Sequence, residues 1–451
     1  MTPTPRRGGS GDTIAAVATA PGRGAVGILR LSGPDAGRVA CALCTTLPEP
    51  RQARLRRFRD RDGAVIDQGL VLHFPAPDSF TGEHVVELQG HGGPVVLALL
   101  LDAACAAGAR AARPGEFSER AFLNGRLDLA QAESIADLID AGSHAAVRAA
   151  SRSLAGEFSA RVEALVDSLT GLRADLEAAL DFADEDVPWL SGPQLVLRLD
   201  GLARGLADVL RAAAQGRRLR DGLVVAIGGA PNVGKSTLLN RLAGTEAAIV
   251  SPIAGTTRDV LREHLTLAGL PVTVLDTAGL RETDDPVERI GIARARAAIA
   301  DAEVLLWLVE DGAGPHHDDP FLPVVLPAAA TRLVVRTKCD LSGAAAGPLD
   351  DGSLRISAAT GAGLEALVAR LHAVAGLDST ATDALGARAR HLDALHAAAA
   401  EIEQARAMPA GHPELVAEHL RLAQGALEAI TGRYTADDLL GRIFSTFCLG
   451  K

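Results

Sequence analysis

The chain reads Leu-Val-Val-Ala-Ile-Gly-Gly-Ala-Pro-Asn-Val-Gly-Lys-Ser from residue 223 to residue 236, and a helical segment follows. An apolar strand, a glycine-rich turn and Gly-Lys-Ser before a helix form the pattern of a phosphate-binding loop, the P-loop. Gly229 and Gly234 allow main-chain N–H groups to turn inward around phosphate oxygens. Lys235 is then expected to reach the β- and γ-phosphates, and the Ser236 hydroxyl to bind Mg²⁺. The stretch therefore predicts a nucleoside-triphosphate site at the end of a strand.

Two motifs further along the chain complete the Mg²⁺ and γ-phosphate side of the predicted site. Thr257 lies in the run Gly-Thr-Thr-Arg-Asp and supplies a second hydroxyl for the Mg²⁺ shell that Ser236 begins. Asp276 ends a strand in the run Asp-Thr-Ala-Gly, where a carboxylate holds Mg²⁺ through water. The main-chain N–H of Gly279 closes that run and can sense the γ-phosphate.

Two more motifs predict that the base is guanine. The carboxylate of Asp340, in Thr-Lys-Cys-Asp, can accept hydrogen bonds from the N1–H and 2-amino groups of guanine, a donor pair that adenine lacks. The run Ser-Ala-Ala from Ser357 would cap the base. This base motif usually begins with asparagine, so Thr337 predicts retained guanine selectivity with an affinity that could be lower. The predicted GTP-binding residues are Asn232, Val233, Gly234, Lys235, Ser236, Thr237, Ser251, Pro252, Ile253, Ala254, Gly255, Thr256, Thr257, Asp276, Thr277, Ala278, Gly279, Thr337, Lys338, Asp340, Ser357, Ala358 and Ala359.

The hydrolytic step cannot follow the Ras pattern, in which a glutamine after the Asp-x-x-Gly motif orients water. Leu280 occupies that position and has no polar group. Another acid or base is required, and Arg281, Glu282 and Glu288 lie in the segment that follows. The side-chain carbonyl of Asn232 would lie near the β/γ bridge, where a monovalent cation could supply the charge of an arginine finger. A turn-capping amide explains Asn232 equally well.

The remaining sequence predicts a multidomain chain of α/β and α+β class. Before residue 126, strands bounded by Gly, Pro and Asp are predicted at 25–31, 69–74 and 84–88. Short apolar runs typical of a parallel, doubly wound sheet lie at 223–227, 272–275, 304–309, 333–336 and 354–356. Apolar residues at helical spacing flank that sheet on both sides. We predict an N-terminal α+β domain at 1–125, a helical domain in two parts at 126–220 and 378–451, and an inserted Ras-like P-loop GTPase domain at 221–377.

Composition excludes several other classes of protein. The 451 residues carry a formal charge of −11, with 48% apolar and 22% charged residues, which argues against a disordered chain or a basic nucleic-acid coat. Five cysteines are too few and odd in number for a disulfide framework. The longest apolar run, 94–101, is far shorter than the roughly 20 residues of a membrane span. We expect a cytoplasmic protein, and we interpret no basic stretch as a tRNA footprint.

Three further motifs lie outside the nucleotide site. They are Thr-Gly-Glu-His-Val-Val-Glu-Leu-Gln-Gly-His-Gly-Gly at 81–93, Arg-Pro-Gly-Glu-Phe-Ser-Glu-Arg-Ala-Phe-Leu-Asn at 113–124 and Phe-Cys-Leu-Gly-Lys at 447–451. Together with the nucleotide motifs, they resemble those of the MnmE (TrmE) family of tRNA-modification GTPases. The resemblance implies a homodimer joined through a folate-binding N-terminal domain. It also implies a flavoprotein partner, MnmG, which supplies FAD. Together they would build a carboxymethylaminomethyl or aminomethyl group on C5 of the wobble uridine of certain tRNAs, with GTP, Mg²⁺, K⁺ and a 5-formyl-tetrahydrofolate-type donor.

The resemblance also assigns roles to particular residues. It implies that Glu288 activates water and that Asn232 and Lys235 complete the catalytic set. The residues that match its potassium shell are Asn232, Ser251, Ile253 and Thr256. The residues that match its folate contacts are Arg30, Glu87, Arg126 and Lys451. From the residues alone, Arg30 and Glu87 are as readily explained as an ordinary cross-strand ion pair.

Two alternative functions remain open at this point. A regulatory GTPase switch in ribosome assembly or signalling would share the nucleotide motifs but would need neither the folate positions nor the C-terminal Gly-Lys end. A membrane-associated, dimerising GTPase would need an amphipathic basic helix or a lipid anchor, and neither is evident.

Overall fold

The structure is a computed structural model that describes residues 11–181, 192–245, 262–276, 302–312, 330–377, 383–408, 412–433, 437–445, 447 and 450. The chain divides into two compact units. The first comprises Met1–Ala136, Leu154–Leu202 and Ala397–Lys451, and the second comprises Asp137–Ser153 and Ala203–His396. The domain boundaries given above stay a prediction.

Six strands of the first unit form one sheet in the order β3-β4-β5-β2-β1-β6. Their bounds are β1 Ile14–Val17, β2 Gly24–Ser32, β3 Arg54–Arg59, β4 Val65–Phe74, β5 Val85–Gly92 and β6 Arg110–Ala111. Neighbouring strands are antiparallel except for β1 and β6, which are parallel. The three predicted strands correspond to β2, β4 and β5, whereas β1, β3 and β6 were not predicted.

One face of this sheet is buried under two helices, α1 (Ala36–Cys44) and α2 (Pro94–Ala106). Leu29 and Leu31 of β2 are fully buried and join a core with Val39 of α1 and Leu100 of α2. Because side chains alternate along a strand, Arg30 lies on the opposite face. Its side chain is partly exposed there and pairs with Glu87, which allows a charged residue at this position.

A buried ion network holds α3 (Glu116–Leu123) in the first unit. The guanidinium of Arg120, whose side chain is 4% exposed, donates to Asp12 at 2.8 Å and Glu83 at 3.0 Å, and to Glu116 of its own helix at 3.3 Å. Arg110 donates to the same Glu116 carboxylate at 2.6 Å. Two guanidinium groups therefore share three carboxylates, of which Glu116 is almost fully buried and Asp12 is partly exposed.

Helices make up the rest of the first unit. They include α4 (Leu129–Ile139), α6 (Glu157–Asp181), α7 (Gly192–Asp221), α11 (Ala389–Ala407), α12 (Pro413–Thr431) and α13 (Asp437–Ser445), of which α4, α7 and α11 also contribute residues to the second unit. Helix α6 packs against α12, and the predicted apolar stripe of α6 is buried at Phe158, Val162, Leu165, Leu169 and Leu172. Among the described helices, none has the length and hydropathy that a bilayer span requires.

The second unit contains a seven-stranded sheet in the order β12-β13-β11-β10-β7-β9-β8. The five central strands are parallel, and the edge strands β8 and β12 are antiparallel to their neighbours. The bounds are β7 Leu223–Gly229, β8 Arg262–Leu267, β9 Leu270–Asp276, β10 Val304–Glu310, β11 Thr331–Thr337, β12 Gly347–Pro348 and β13 Leu354–Arg355. The central strands are those that the apolar runs predicted, which confirms the predicted fold class.

Helices α5 (His144–Leu154), α8 (Lys235–Thr245), α9 (Cys339–Ser342) and α10 (Leu364–Val374) accompany that sheet. Ala146 and Ala149 of α5 belong to the same apolar core as Leu265 of β8 and Leu270 of β9. The Thr266 hydroxyl of β8 donates to the carbonyl of residue 142, at 3.2 Å, just before α5. This packing of α5 beside the sheet could not be read from helical periodicity alone.

Candidate active site

The P-loop leaves the carboxyl end of β7 and enters α8 at Lys235. Its backbone has positive φ at Gly229 (143°), Asn232 (63°) and Gly234 (107°). A Cβ on Gly229 would lie 2.5 Å from the carbonyl oxygen of Leu308 on the neighbouring strand, so only glycine fits there. The loop thus turns back on itself and presents the N-terminus of α8, whose free N–H groups favour a bound anion.

The ammonium group of Lys235 lies over the loop that it follows. Its Nζ donates to the carbonyl oxygens of Gly229 at 2.8 Å and Ala230 at 2.9 Å. Ser236 and Thr237, which come next in the first turn of α8, are exposed. This places a positive charge and a hydroxyl group together at the opening of the P-loop, as the sequence predicts for phosphate and Mg²⁺.

Asn232 occupies the tightest part of the loop. Its left-handed backbone suits asparagine better than most residues. Its side chain is exposed and makes no hydrogen bond to the residues that the structure describes. No described residue therefore fixes the orientation of the Asn232 side-chain amide.

Thr337 connects the base motif to the P-loop. This threonine is 1% exposed at the end of β11, and its hydroxyl donates to the main-chain carbonyl of Val233 at 2.7 Å. The Val309 carbonyl of β10 lies 3.3 Å from the same hydroxyl. The residue that departs from the usual asparagine thus makes a direct contact with the phosphate-binding loop.

The base side of the site is built on α9 and the loop after β13. Lys338 has a left-handed backbone (φ 64°) and pairs with Glu310 at 2.9 Å, and Asp340 is exposed in the first turn of α9. Ser357 is buried, and its hydroxyl accepts the N–H of Thr360 at 3.1 Å. These contacts hold in place the main chain of the two predicted base motifs, at Thr337–Asp340 and Ser357–Ala359.

Two residues that sequence reasoning missed support this base side. Asp311, just after β10, accepts hydrogen bonds from Ser342 of α9 at 2.5 Å and from Arg355 of β13 at 2.9 Å, and these bonds, that from Ser342 above all, lower the pKa of its carboxyl group. Arg241 of α8 donates to the carbonyl of Ala359 at 3.2 Å. Neither residue lies in a recognisable motif, so no local pattern could have identified them.

Sheet topology brings the motifs to one edge. The parallel pairing places Ile227 beside Asp276, Leu308 beside Gly229 and Glu310 beside Thr337, so the strands end at the same side of the sheet. Ligands of open α/β sheets bind at this carboxyl edge. The site residues that lie outside the described part of the chain are Ser251, Pro252, Ile253, Ala254, Gly255, Thr256, Thr257, Thr277, Ala278, Gly279 and Glu288.

A second candidate site lies in the first unit around Arg30. The guanidinium pairs with Glu87, on the neighbouring strand β5, at 2.9 Å, and it stacks over the rings of Phe80 and Phe117 at 5.6 and 5.8 Å. The other oxygen of Glu87 accepts a hydrogen bond from Gln89 at 3.3 Å. The cross-strand pair is therefore formed, and both of its side chains remain partly exposed.

The chain end approaches this pair from the β1 side. The Gly450 carbonyl lies 3.5 Å from Nη1 of Arg30, and a Cβ at Gly450 would meet the Val17 carbonyl at 2.2 Å. Arg126 is exposed, packs near Gly82, and forms no hydrogen bond or ion pair with Arg30 or Glu87 within the described residues. Lys451 lies outside the described residues.

Known protein families match this chain over nearly its whole length. Residues 129–448 match the family model of the MnmE helical domain, and residues 13–126 match that of the GTP-binding protein TrmE N-terminus. The tRNA modification GTPase MnmE of Thiobacillus denitrificans is 54% identical over 440 residues, which cover 98% of each chain. The MnmE of Ectopseudomonas mendocina is 55% identical over 453 residues, covering 98% of this chain and 99% of its own.

Among solved structures, an Era variant of Aquifex aeolicus bound to GDP and AlF₄⁻ is 27% identical and covers 40% of this chain and 66% of its own, with a TM-score of 0.26. The two MnmE relatives match 98% of this chain. The chain therefore belongs to the MnmE family of tRNA modification GTPases.

Proposed function

We propose that the chain is the GTP-hydrolysing subunit of a complex that adds a carboxymethylaminomethyl or aminomethyl group at C5 of the wobble uridine (U34) of certain tRNAs. Hydrolysis would depend on potassium, and a 5-formyl-tetrahydrofolate-type donor would supply the one-carbon unit. The single observation that carries the mechanistic part is the exposed side chain of Asn232, which has no hydrogen-bond partner among the described residues.

The two explanations of Asn232 make different demands on the structure. A left-handed backbone favours asparagine whatever its side chain does. A turn-capping role, however, needs the side chain to hydrogen-bond the nearby main chain, and no such bond is formed to the described residues. The side-chain oxygen is thus available to a cation, with Ser251, Ile253 and Thr256 as the proposed further ligands.

The other site residues fit the chemistry of phosphoryl transfer. Ser236 and Thr257 would hold Mg²⁺, and the bound metal ions would supply positive charge for the phosphate oxygens. Lys235 already lies at the mouth of the P-loop, where its ammonium can neutralise the β- and γ-phosphates. Glu288 would orient and activate the attacking water, since Leu280 has no group that could do so.

Guanine recognition is assigned to Asp340. Its carboxylate is exposed, and α9 is anchored by the contact between Ser342 and Asp311. Thr337, Lys338 and the loop from Ser357 to Ala359 would frame the base. The P-loop, Asp276 and the loop of 251–257 would surround the phosphates.

Folate binding is assigned to Arg30, Glu87, Arg126 and Lys451. The guanidinium of Arg30 is positioned by Glu87 and by two aromatic rings, so it is oriented before any ligand arrives. The Glu87 carboxylate could accept the N–H edge of a pterin. The cationic groups would attract the glutamate tail of a folate.

The proposed partners are a second copy of the chain, joined through the N-terminal domain of 1–125, the FAD-carrying flavoprotein MnmG, and tRNA. We place the protein in the cytoplasm and keep the helical parts at 126–220 and 378–451 and the GTPase domain at 221–377 as proposed boundaries. A regulatory switch in ribosome assembly is not supported, because both MnmE relatives match the chain over nearly its full length.

Potassium dependence is tested by exchanging the salt. The initial rate of GTP hydrolysis should be at least about tenfold higher in potassium chloride than in sodium chloride of equal ionic strength, because a well-seated cation stabilises charge at the β/γ bridge. Asn232→Gly is the matched variant, since glycine accepts the positive φ while the amide is lost. It should keep nucleotide affinity and lose the potassium response. Equal rates of the wild-type chain in both salts would contradict the mechanism.

The folate site is tested by Arg30→Ala. This variant should lose affinity for 5-formyl-tetrahydrofolate by about tenfold or more, because a charge-assisted contact contributes about 1.5–3 kcal/mol, while its affinity for GTP stays the same. Mass spectrometry of wobble uridines from cells that carry only this variant should show the unmodified base. Arg38→Ala removes an exposed arginine of the same unit as a control. Unchanged folate affinity would return Arg30 to a purely structural role.

A further inference from the structure

An arginine-rich segment of the first unit takes no part in either site described above. Residues 51–61 contain six arginines and one aspartate, a formal charge of +5 in a chain whose total is −11. We call this segment the arginine strand, because β3 (Arg54–Arg59) forms its centre. A cluster of positive charge on an otherwise acidic protein creates a local electrostatic field that attracts polyanions.

This segment lies at one edge of the six-stranded sheet. Strand β3 is the terminal strand in the order given by the described residues, and it pairs only with β4. Arg54 and Arg56 lie opposite Val71 and Gly69, and Arg57 lies opposite Gln68, so the arginines occur on both faces of the edge. Arg54 and Arg57 are exposed. The guanidinium groups therefore lie on both faces of the edge strand.

Four arginines of the arginine strand have no ion-pair partner among the described residues, whereas Arg61 at its end lies 3.7 Å from the Asp62 carboxylate. Arg56 donates to the Thr46 carbonyl at 3.3 Å, Arg59 to the Gly63 carbonyl at 2.8 Å, and Arg54 only to the Gln52 side chain at 3.3 Å. Among the described residues, these three and Arg57 have no carboxylate within ion-pair distance. Uncharged acceptors orient Arg54, Arg56 and Arg59 and leave their charges without a counter-ion among the described residues.

The one aspartate of the segment, already counted in the charge of +5, forms no ion pair with these arginines within the described residues. Asp60 uses its carboxylate to accept the N–H groups of Asp62 and Ala64, both at 2.9 Å, and so caps the turn from β3 to β4. Exposed arginines elsewhere in the same unit behave differently, since Arg38 pairs with Asp35 and Arg421 with Glu418. The arginine strand is thus chemically distinct from an ordinary charged surface.

We propose that the arginine strand binds the phosphate backbone of RNA, and specifically of the tRNA on which this family acts. The choice of tRNA rests on the proposed function, whereas the choice of a phosphate polymer rests on the contacts above. A guanidinium presents a planar fork of donors that matches phosphate oxygens. Four unneutralised forks around one edge suit several successive phosphates better than a single small anion.

A second copy of this chain fits the surface poorly. Edge strands often pair with each other, but two-fold pairing would bring two segments of charge +5 together. Like charges at such spacing repel, and each would still lack a carboxylate. Self-association and binding to anionic vesicles are therefore outcomes that the experiment must separate from RNA binding.

The experiment measures binding of fluorescent, in vitro transcribed tRNA to the full chain across a range of potassium chloride concentrations. The test variant is Arg54→Gln/Arg57→Gln, whose side chains make at most one hydrogen bond to the described protein. The control is Arg38→Gln/Arg421→Gln, which removes the same charge from exposed ion pairs of the same unit. GTP hydrolysis without tRNA is followed in every variant and should not change.

We expect the test variant to bind tRNA at least about tenfold more weakly and the control to bind like the wild type. The slope of log affinity against log salt should become shallower by about 1.4–1.8, since each lost phosphate contact contributes about 0.7–0.9. Arg54→Lys/Arg57→Lys should retain most of the slope. If the double variant is thermally unstable, Arg57→Gln alone should still lower the slope by about 0.7–0.9.

Several results would overturn the proposal. An unchanged slope in the test variant would exclude phosphate contacts, and an equal loss in the control would reduce the effect to net charge. A change in sedimentation of the test variant without RNA, or binding to phosphatidylserine vesicles in place of tRNA, would assign the surface to another partner. A wild-type chain that hydrolyses GTP but does not bind tRNA would refute the proposed role of the arginine strand and leave the proposed GTPase activity standing. Intact tRNA binding with unmodified U34 in cells would instead refute the proposed reaction.

Discussion

Asp340→Asn is expected to lower the affinity for GTP by about 10²–10⁴-fold. Two hydrogen bonds to a charged group contribute about 3–6 kcal/mol together, and asparagine can reproduce neither the charge nor both acceptors. The Asp340 side chain is exposed at the start of α9, so the substitution removes no packing. Titration with a fluorescent guanosine nucleotide measures the loss directly.

The same variant should prefer a different base. Xanthine carries a carbonyl where guanine carries the 2-amino group, and the amide N–H₂ of asparagine can donate to it. Affinity for xanthosine triphosphate should therefore rise while affinity for GTP falls. Asp350→Asn, which removes an exposed carboxylate from the turn before β13, is the control and should bind GTP normally. Normal GTP affinity in Asp340→Asn would remove this residue from the site.

Arg120→Met is expected to destabilise the first unit by about 3–5 kcal/mol, because it leaves Glu83 without its counter-charge and Glu116 with only Arg110 and the more distant Arg113. Glu116 is only 3% exposed, and Glu83 would lose the guanidinium that lies 3.0 Å away. Hydrogen exchange of the α3 amides in the full chain measures this locally. Arg113→Met is the control, since Arg113 is mostly exposed and its pairs with Glu119 and, at 3.7 Å, with Glu116 should together contribute less than about 1 kcal/mol. Equal effects of both variants would contradict the buried-network account.

The pH dependence of the wild-type chain provides a second readout of the same network. Burial by itself raises the pKa of Glu116, but hydrogen bonds from Arg110 and from the Arg113 N–H, with the nearby guanidinium charges, bring that pKa below its ordinary value of 4.5. A lowered folded-state pKa contributes stability above the unfolded-state pKa, and that contribution is lost as the pH falls. Protection of α3 should therefore decrease as the pH drops below about 4.5.

The parts of the fold that the sequence predicts are those encoded by contiguous residues. The P-loop and the strand before Asp276 each combine an apolar run with a short polar motif, so their place at the sheet edge follows from topology rules alone. Strand β3 was missed because arginines occupy four of its six positions, which hides the usual alternation. The basic surface was overlooked with it, and for the same reason.

The contacts that order the site were beyond a reading of the sequence. Arg241 reaches Ala359 across 118 positions, and Thr337 reaches Val233 across 104, distances at which no local periodicity carries information. Arg30 and Glu87 could be placed on strands, but only the register of β2 and β5 makes them partners. Side-chain hydrogen bonds between remote segments depend on the packed fold, so they become visible only with coordinates.

The hydroxyl of Thr337 links two segments of the proposed nucleotide site. A buried hydrogen bond to the Val233 carbonyl ties the segment proposed to meet the base to the segment proposed to wrap the phosphates. A displacement of Thr337 would therefore also displace the main chain of the P-loop at Val233. We therefore expect the two segments to move together, so that both ends of a bound nucleotide are released in one event.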